Sequence, residues 1–174
     1  MGDVVVVTGP PGAGKSAAAE QLVVLLTPSA LVTGDSFFGF LRSGAIAPWR
    51  EDAYQQNITV TQAAAAATGR LAGHCDVVYD GIVGPWLLDR FLAATRLDHL
   101  HYAMLLPPLE TCLGRVSNRQ GHGFTDLDAA EHMWREFDQV EIDSRHIVDN
   151  YHRTPTELAR TLADKLSDGT IRYP

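Results

Sequence analysis

Residues 9–16 read Gly-Pro-Pro-Gly-Ala-Gly-Lys-Ser, directly after the apolar run Val4-Val5-Val6-Val7-Thr8 and directly before Ala17-Ala18-Ala19-Glu20. This junction constrains the fold more than any other stretch. Four valines without polar alternation make a strand that must be covered on both faces, as strands of parallel sheets are. A parallel partner requires a crossover, and the alanine-rich segment supplies its helix. The turn between them fits G-x-x-x-x-G-K-[ST] completely. Gly9, Gly12 and Gly14 open backbone angles that bring successive N–H groups inward as an anion nest, and the helix that follows adds its positive end. Lys15 contributes a full positive charge, and the Ser16 hydroxyl suits Mg²⁺. A loop of this chemistry fits the phosphates of a nucleotide, with Gly9, Pro10, Pro11, Gly12, Ala13, Gly14, Lys15, Ser16 and Ala17 as its candidate contacts.

Strands and helices alternate along the rest of the chain. The pattern predicts strands over Val4–Thr8, Ala30–Thr33, Asp76–Asp80, Leu100–Leu106 and His146–Val148. It predicts helices over Lys15–Leu26, Phe37–Leu41, Asp52–Ala72, a segment containing Leu109, Cys112, Leu113 and Val116, and Asp128–Val140. Gly34-Asp35-Ser36 reads as a turn, and Gly121-His122-Gly123 as a flexible connector. The last helix is punctuated by Thr154 as cap, Pro155 at its first position and Glu157 completing a capping box, with Leu158, Leu162 and Leu166 as its buried stripe.

A chain of 174 residues suits one domain, spanning 1–174. Its net charge of −7 argues against non-specific binding to nucleic acid or to an anionic membrane. No apolar run approaches the ~20 residues needed to cross a bilayer, and the first residues do not resemble a secretory leader, so the expected location is the cytoplasm. Cys75 and Cys112 belong to no metal-ligand pattern and read as buried, reduced thiols. The histidines offer no pairing in the sequence.

The loop at 9–16, its placement and the chain length resemble the P-loop small-molecule kinases, most closely the chloramphenicol phosphotransferase and gluconate kinase branch. The resemblance implies an α/β, three-layer P-loop NTPase fold: a five-stranded parallel sheet, helices on both faces and a small helical lid at about 115–135. It implies ATP and Mg²⁺, and transfer of the γ-phosphoryl group to a hydroxyl of a small molecule. Asp35, just past the second strand, then contacts the acceptor hydroxyl as base; the alternative is a helix cap. Asp80, ending Val77-Val78-Tyr79-Asp80, joins Ser16 in the Mg²⁺ shell or is a turn aspartate. Arg115 and Arg119 stand at the start of the lid and reach the transferring phosphoryl group, or are solvated arginines. Arg153 follows the fifth strand, where such kinases place the adenine-facing loop.

Phe37, Phe38, Phe40, Trp49 and Trp86 suggest an acceptor with an apolar or ring-shaped body, or merely pack a small helix. Two other readings stay open. A nucleotide kinase would need arginines converging on an anionic acceptor, for which Arg42, Arg50 and Arg70 are candidates. A nucleotide-gated binding protein would bind the nucleotide with little catalysis.

Overall fold

The valine run of the first strand serves two faces at once. In a computed structural model, which describes residues 2–118 and 124–174, Val4 and Val6 are buried in one apolar cluster and Val5 and Val7 in the other. Strand β1 (Val4–Thr8) is therefore central, and its side chains alternate between two helical layers. One layer holds α3 (Tyr54–Ala72), α4 (Pro85–Thr95) and α6 (Leu127–Gln139), which contribute Ala64, Ala65, Leu88, Phe91 and Phe137. The other holds α1 (Lys15–Val23) and α7 (Pro155–Ser167), which contribute Ala18, Ala19, Leu22, Leu158 and Leu162. Each fully buried valine or leucine stabilises the fold by roughly 1.5–3 kcal/mol.

The remaining strands are β2 (Ser29–Thr33), β3 (Asp76–Asp80), β4 (Leu100–Leu105), β5 (Ile147–Val148) and β6 (Arg172–Tyr173). The order β2-β3-β1-β4-β5 is parallel throughout. Strand β6 runs antiparallel along the start of β4, so the sheet has six strands where the sequence suggests five. Only its two residues pair, too short a segment to carry a periodicity.

Three further differences bear on the site. Helix α4 was not expected; Pro85 at its first position and the buried Leu88, Phe91 and Thr95 define it. Helix α2 (Gly34–Phe38) starts at Gly34 rather than after a turn, with Thr33 as its N-cap residue. Asp35 thus lies in the first turn and is not the cap. Helix α1 ends at Val23, before Leu26. Helix α5 (Leu109–Ser117) and α6 bracket the expected lid. The latter is tied to the body by Phe137 in the core and by Trp134 Nε1–H donating to the Pro107 carbonyl at 2.8 Å. Arg119, Gly121, His122 and Gly123 lie outside the described residues. Among the described residues no helix is long and apolar enough to cross a membrane.

Candidate active site

All parallel strands end on the same edge, and the functional candidates gather there. In register, Asp80 lies beside Val7 of β1 and Thr33 of β2. The end of β3 therefore sits between the phosphate loop and Asp35. Gly12 and Gly14 have φ of +81° and +95°, in the left-handed region, and Gly14 is the N-cap residue of α1. The Lys15 ammonium donates to the Pro10 carbonyl at 3.0 Å, arching back over the loop.

Burial pushes the Asp80 carboxyl above its ordinary range; the nearby Ser16 hydroxyl and the Lys15 charge oppose this, while Asp35 and Glu20 add to it. Lys15, Ser16 and Asp35 thus all stand close enough to act on Asp80. The Ser16 hydroxyl and the Asp80 carboxylate make a hard-oxygen pair of the kind Mg²⁺ accepts, so the residues fit that ion.

Two hollows flank the loop. The smaller, about 310 Å³, is lined by Gly12, Gly14, Arg115, Asn150, Arg153 and Leu158. The Arg115 guanidinium donates to the carbonyls of Gly12 at 3.2 Å and Ala13 at 3.5 Å, which holds the outer side of the loop. Arg153 donates to the Thr161 hydroxyl in the middle of α7. Asn150 escaped the sequence reading. It is 4% exposed, and its amide Nδ2 donates to the Ala13 carbonyl at 2.7 Å. Among the described residues its Oδ1 has no partner. An Asn after a short strand carries no sequence signal of this role.

The larger hollow, about 710 Å³, is lined by Pro11, Lys15 and Asp35 together with residues of α2, α3, α4 and α6. Trp49, Phe124, Trp86, Phe38, Tyr54 and Ile58 give it an aromatic and apolar wall. Trp49 meets Phe124 edge-on at 5.0 Å between ring centroids. The segment carrying Trp49 is pinned to α3, because Gln56 exchanges two hydrogen bonds with Ile46 and Asn57 donates to the Pro48 carbonyl. Of the other aromatic candidates, Phe37 packs against the core and against Phe40, which is 72% exposed.

Arg42 and Arg70 do not line this cleft. Arg50 does, but it is bound to Asp52 through two hydrogen bonds of 2.9 and 2.8 Å. Asp35, Glu51 and Glu136 add acidic groups to the wall. The two cysteines are free and buried, and burial pushes the Cys112 thiol up to about 11, which makes it unreactive.

A parallel sheet with a glycine-rich loop after its central strand, a basic and acidic cluster at the strand ends and a large side cleft is the architecture of the P-loop kinases. A family model described as AAA domain matches residues 4–140, and the chain belongs to that family. Among solved structures it is similar to the tunicamycin resistance protein of Deinococcus radiodurans, with a TM-score of 0.69, 16% identity and coverage of 95% of both chains. It is similar to a gluconokinase from Sinorhizobium meliloti 1021, with a TM-score of 0.67, 18% identity and coverage of 97% of this chain and 93% of that one. A shikimate kinase from Acinetobacter baumannii, in complex with shikimate, gives a TM-score of 0.68 at 15% identity, covering 97% and 95%. No curated protein matches the sequence.

Proposed function

We propose that the protein is an ATP- and Mg²⁺-dependent phosphotransferase that moves the γ-phosphoryl group to a hydroxyl of a small molecule with an uncharged, ring-shaped body. The observation that carries the reading is the continuity of the larger hollow. Lys15 and Asp35 line the same hollow as Trp49, Trp86, Phe38, Tyr54 and Phe124. The named kinases among the similar structures support a kinase reading in general.

In this reading the loop amides and Lys15 hold the triphosphate, and the smaller hollow receives the base beside Asn150 and Arg153. Arg115 braces the loop through its carbonyls. Ser16 and Asp80 would hold Mg²⁺, which spreads the charge of the phosphate oxygens when bound. Asp35 accepts the proton of the acceptor hydroxyl as that oxygen bonds to the γ-phosphorus. The bridging β–γ oxygen bond breaks, and ADP leaves with the electron pair. Arg119 is assigned to the developing charge on the transferring group. The reaction suits the cytoplasm, where ATP and Mg²⁺ are available.

The wall of the cleft favours this acceptor over a nucleoside monophosphate. Its arginine is neutralised by Asp52, and its other acids repel an anion. The test is an ATP-consumption screen over hydroxylated antibiotics, sugar acids, nucleosides, nucleoside monophosphates and shikimate-like diols. Turnover with a neutral, ring-bearing alcohol and its loss in Asp35→Asn, with ATP binding retained, is the expected result. Turnover restricted to phosphorylated nucleosides, or full activity of Asp35→Asn, overturns it.

A further inference from the structure

The opposite edge of the sheet, where the parallel strands begin, carries a second cluster. The sequence offered no histidine pairing, yet the fold makes one. His99 immediately precedes β4 and His101 is its second residue, and the Asp3 contact places both on one side. Val5 lies beside His101 in the parallel register of β1 and β4. Asp3, two residues before Val5, therefore falls beside His99 and on that same side.

One ligating atom from each of Asp3, His99 and His101 lies within 4.8 Å of the other two. His101 Nε2 stands 3.8 Å from Asp3 Oδ1. Donor atoms around a tetrahedral zinc lie about 3.3 Å apart, given bonds of about 2.0–2.1 Å. Small side-chain rotations close that gap, because the exposed Asp3 is free to turn. His101 is 5% exposed, and Nε2 is the ring nitrogen it turns toward Asp3, so the cluster has one ligand fixed by packing and one, Asp3, at the surface.

We propose that Asp3, His99 and His101 bind a borderline divalent transition-metal ion, with Zn²⁺ the representative case, at a site separate from the nucleotide cleft. Two imidazole nitrogens and one carboxylate oxygen are the donor set of such ions; Mg²⁺ and Ca²⁺ prefer oxygen alone. Arg172 of β6 lies opposite His101, so negative charge does not dominate the site. Binding rests on nitrogen–metal bonds, which again selects against the hard cations. Asp3 is solvent-exposed, which leaves a fourth position to water. The bound ion would tie the chain ahead of β1 to the start of β4, far from the phosphate loop. Its consequence is stability of the sheet rather than chemistry on a substrate.

The test uses the full chain without nucleotide, titrated with Co²⁺ as a spectroscopic probe and then with Zn²⁺. One equivalent of Co²⁺ is expected to give a visible d–d band that Zn²⁺ abolishes, and Zn²⁺ to raise the melting temperature. His99→Ala and Asp3→Asn, both outside the buried core, should weaken binding more than about tenfold, a loss that even an outer-shell change can cause. Lys15→Ala should bind Co²⁺ as the unaltered protein does. Absence of stoichiometric binding at about 100 µM metal, far above the range of structural zinc sites, overturns the proposal. So does binding unchanged by His99→Ala, or binding lost in Lys15→Ala.

Discussion

Replacing Gly12 by Ala probes how tightly the phosphate loop is set against α5. At a φ of +81° an L-residue loses about 1–2 kcal/mol relative to glycine. A Cβ at Gly12 would stand 2.3 Å from the Cys112 carbonyl oxygen and 2.9 Å from its carbonyl carbon, where ordinary contact begins near 3.4 Å. Both are backbone atoms and cannot rotate aside, so the loop must move by about an ångström. Overpacking of this kind costs about 1–3 kcal/mol. Together the two terms give a destabilisation of about 2–5 kcal/mol, a fall in melting temperature on the order of 10 °C for a chain of this size. The same displacement carries Lys15 and Ser16 away from the phosphates. ATP affinity should fall at least about tenfold, the equivalent of 1.4 kcal/mol. Gly114→Ala is the control: a Cβ there meets nothing within 4 Å, and it sits on the same α5. That variant should be as stable as the parent or more so, by up to about 1 kcal/mol. Thermal melts and calorimetry with MgATP read both. If Gly12→Ala melts within a degree of the parent and binds ATP unchanged, the close packing of loop and helix is wrong.

Other outcomes follow from the same structure. Burial raises the Asp80 carboxyl, so folding favours its protonated form: that contribution is complete below the ordinary carboxylate range and is lost as pH rises through the raised value. Asp80→Asn should therefore melt higher than the parent at pH 7, lose that advantage in acid, and bind MgATP more weakly. Thr154→Ala removes the cap that accepts from the Glu157 N–H and should cost about 1 kcal/mol in a denaturant melt, without changing ATP affinity. Trp49→Ala removes part of the aromatic wall and its edge contact with Phe124; the acceptor KM should rise about tenfold or more in steady-state assays while ATP binding holds.

The part of the site made by local sequence was readable before the fold was known. The loop at 9–16 and the valines of β1 specify their own neighbours, because a strand, a glycine turn and a helix must follow one another in that order. Asp80 was readable because it ends a strand in that same sheet. What escaped depends on distant contacts. Asn150 matters only because the Ala13 carbonyl comes to meet it. The apposition of Asp3 with His99 exists only through the register of β1 on β4. Helix α4 was missed although Pro85 marked its start, since Gly84-Pro85-Trp86 read as part of an aromatic patch. Asp35 read as either base or cap, and α2 begins at Gly34, two residues before the Ser36 start that the cap reading needs.

The most direct measurement is calorimetric titration of the protein with ATP in the presence of Mg²⁺, repeated on Lys15→Ala. One-site binding that the substitution abolishes is the predicted result. No heat of association at millimolar ATP, or equal binding by both proteins, contradicts the account.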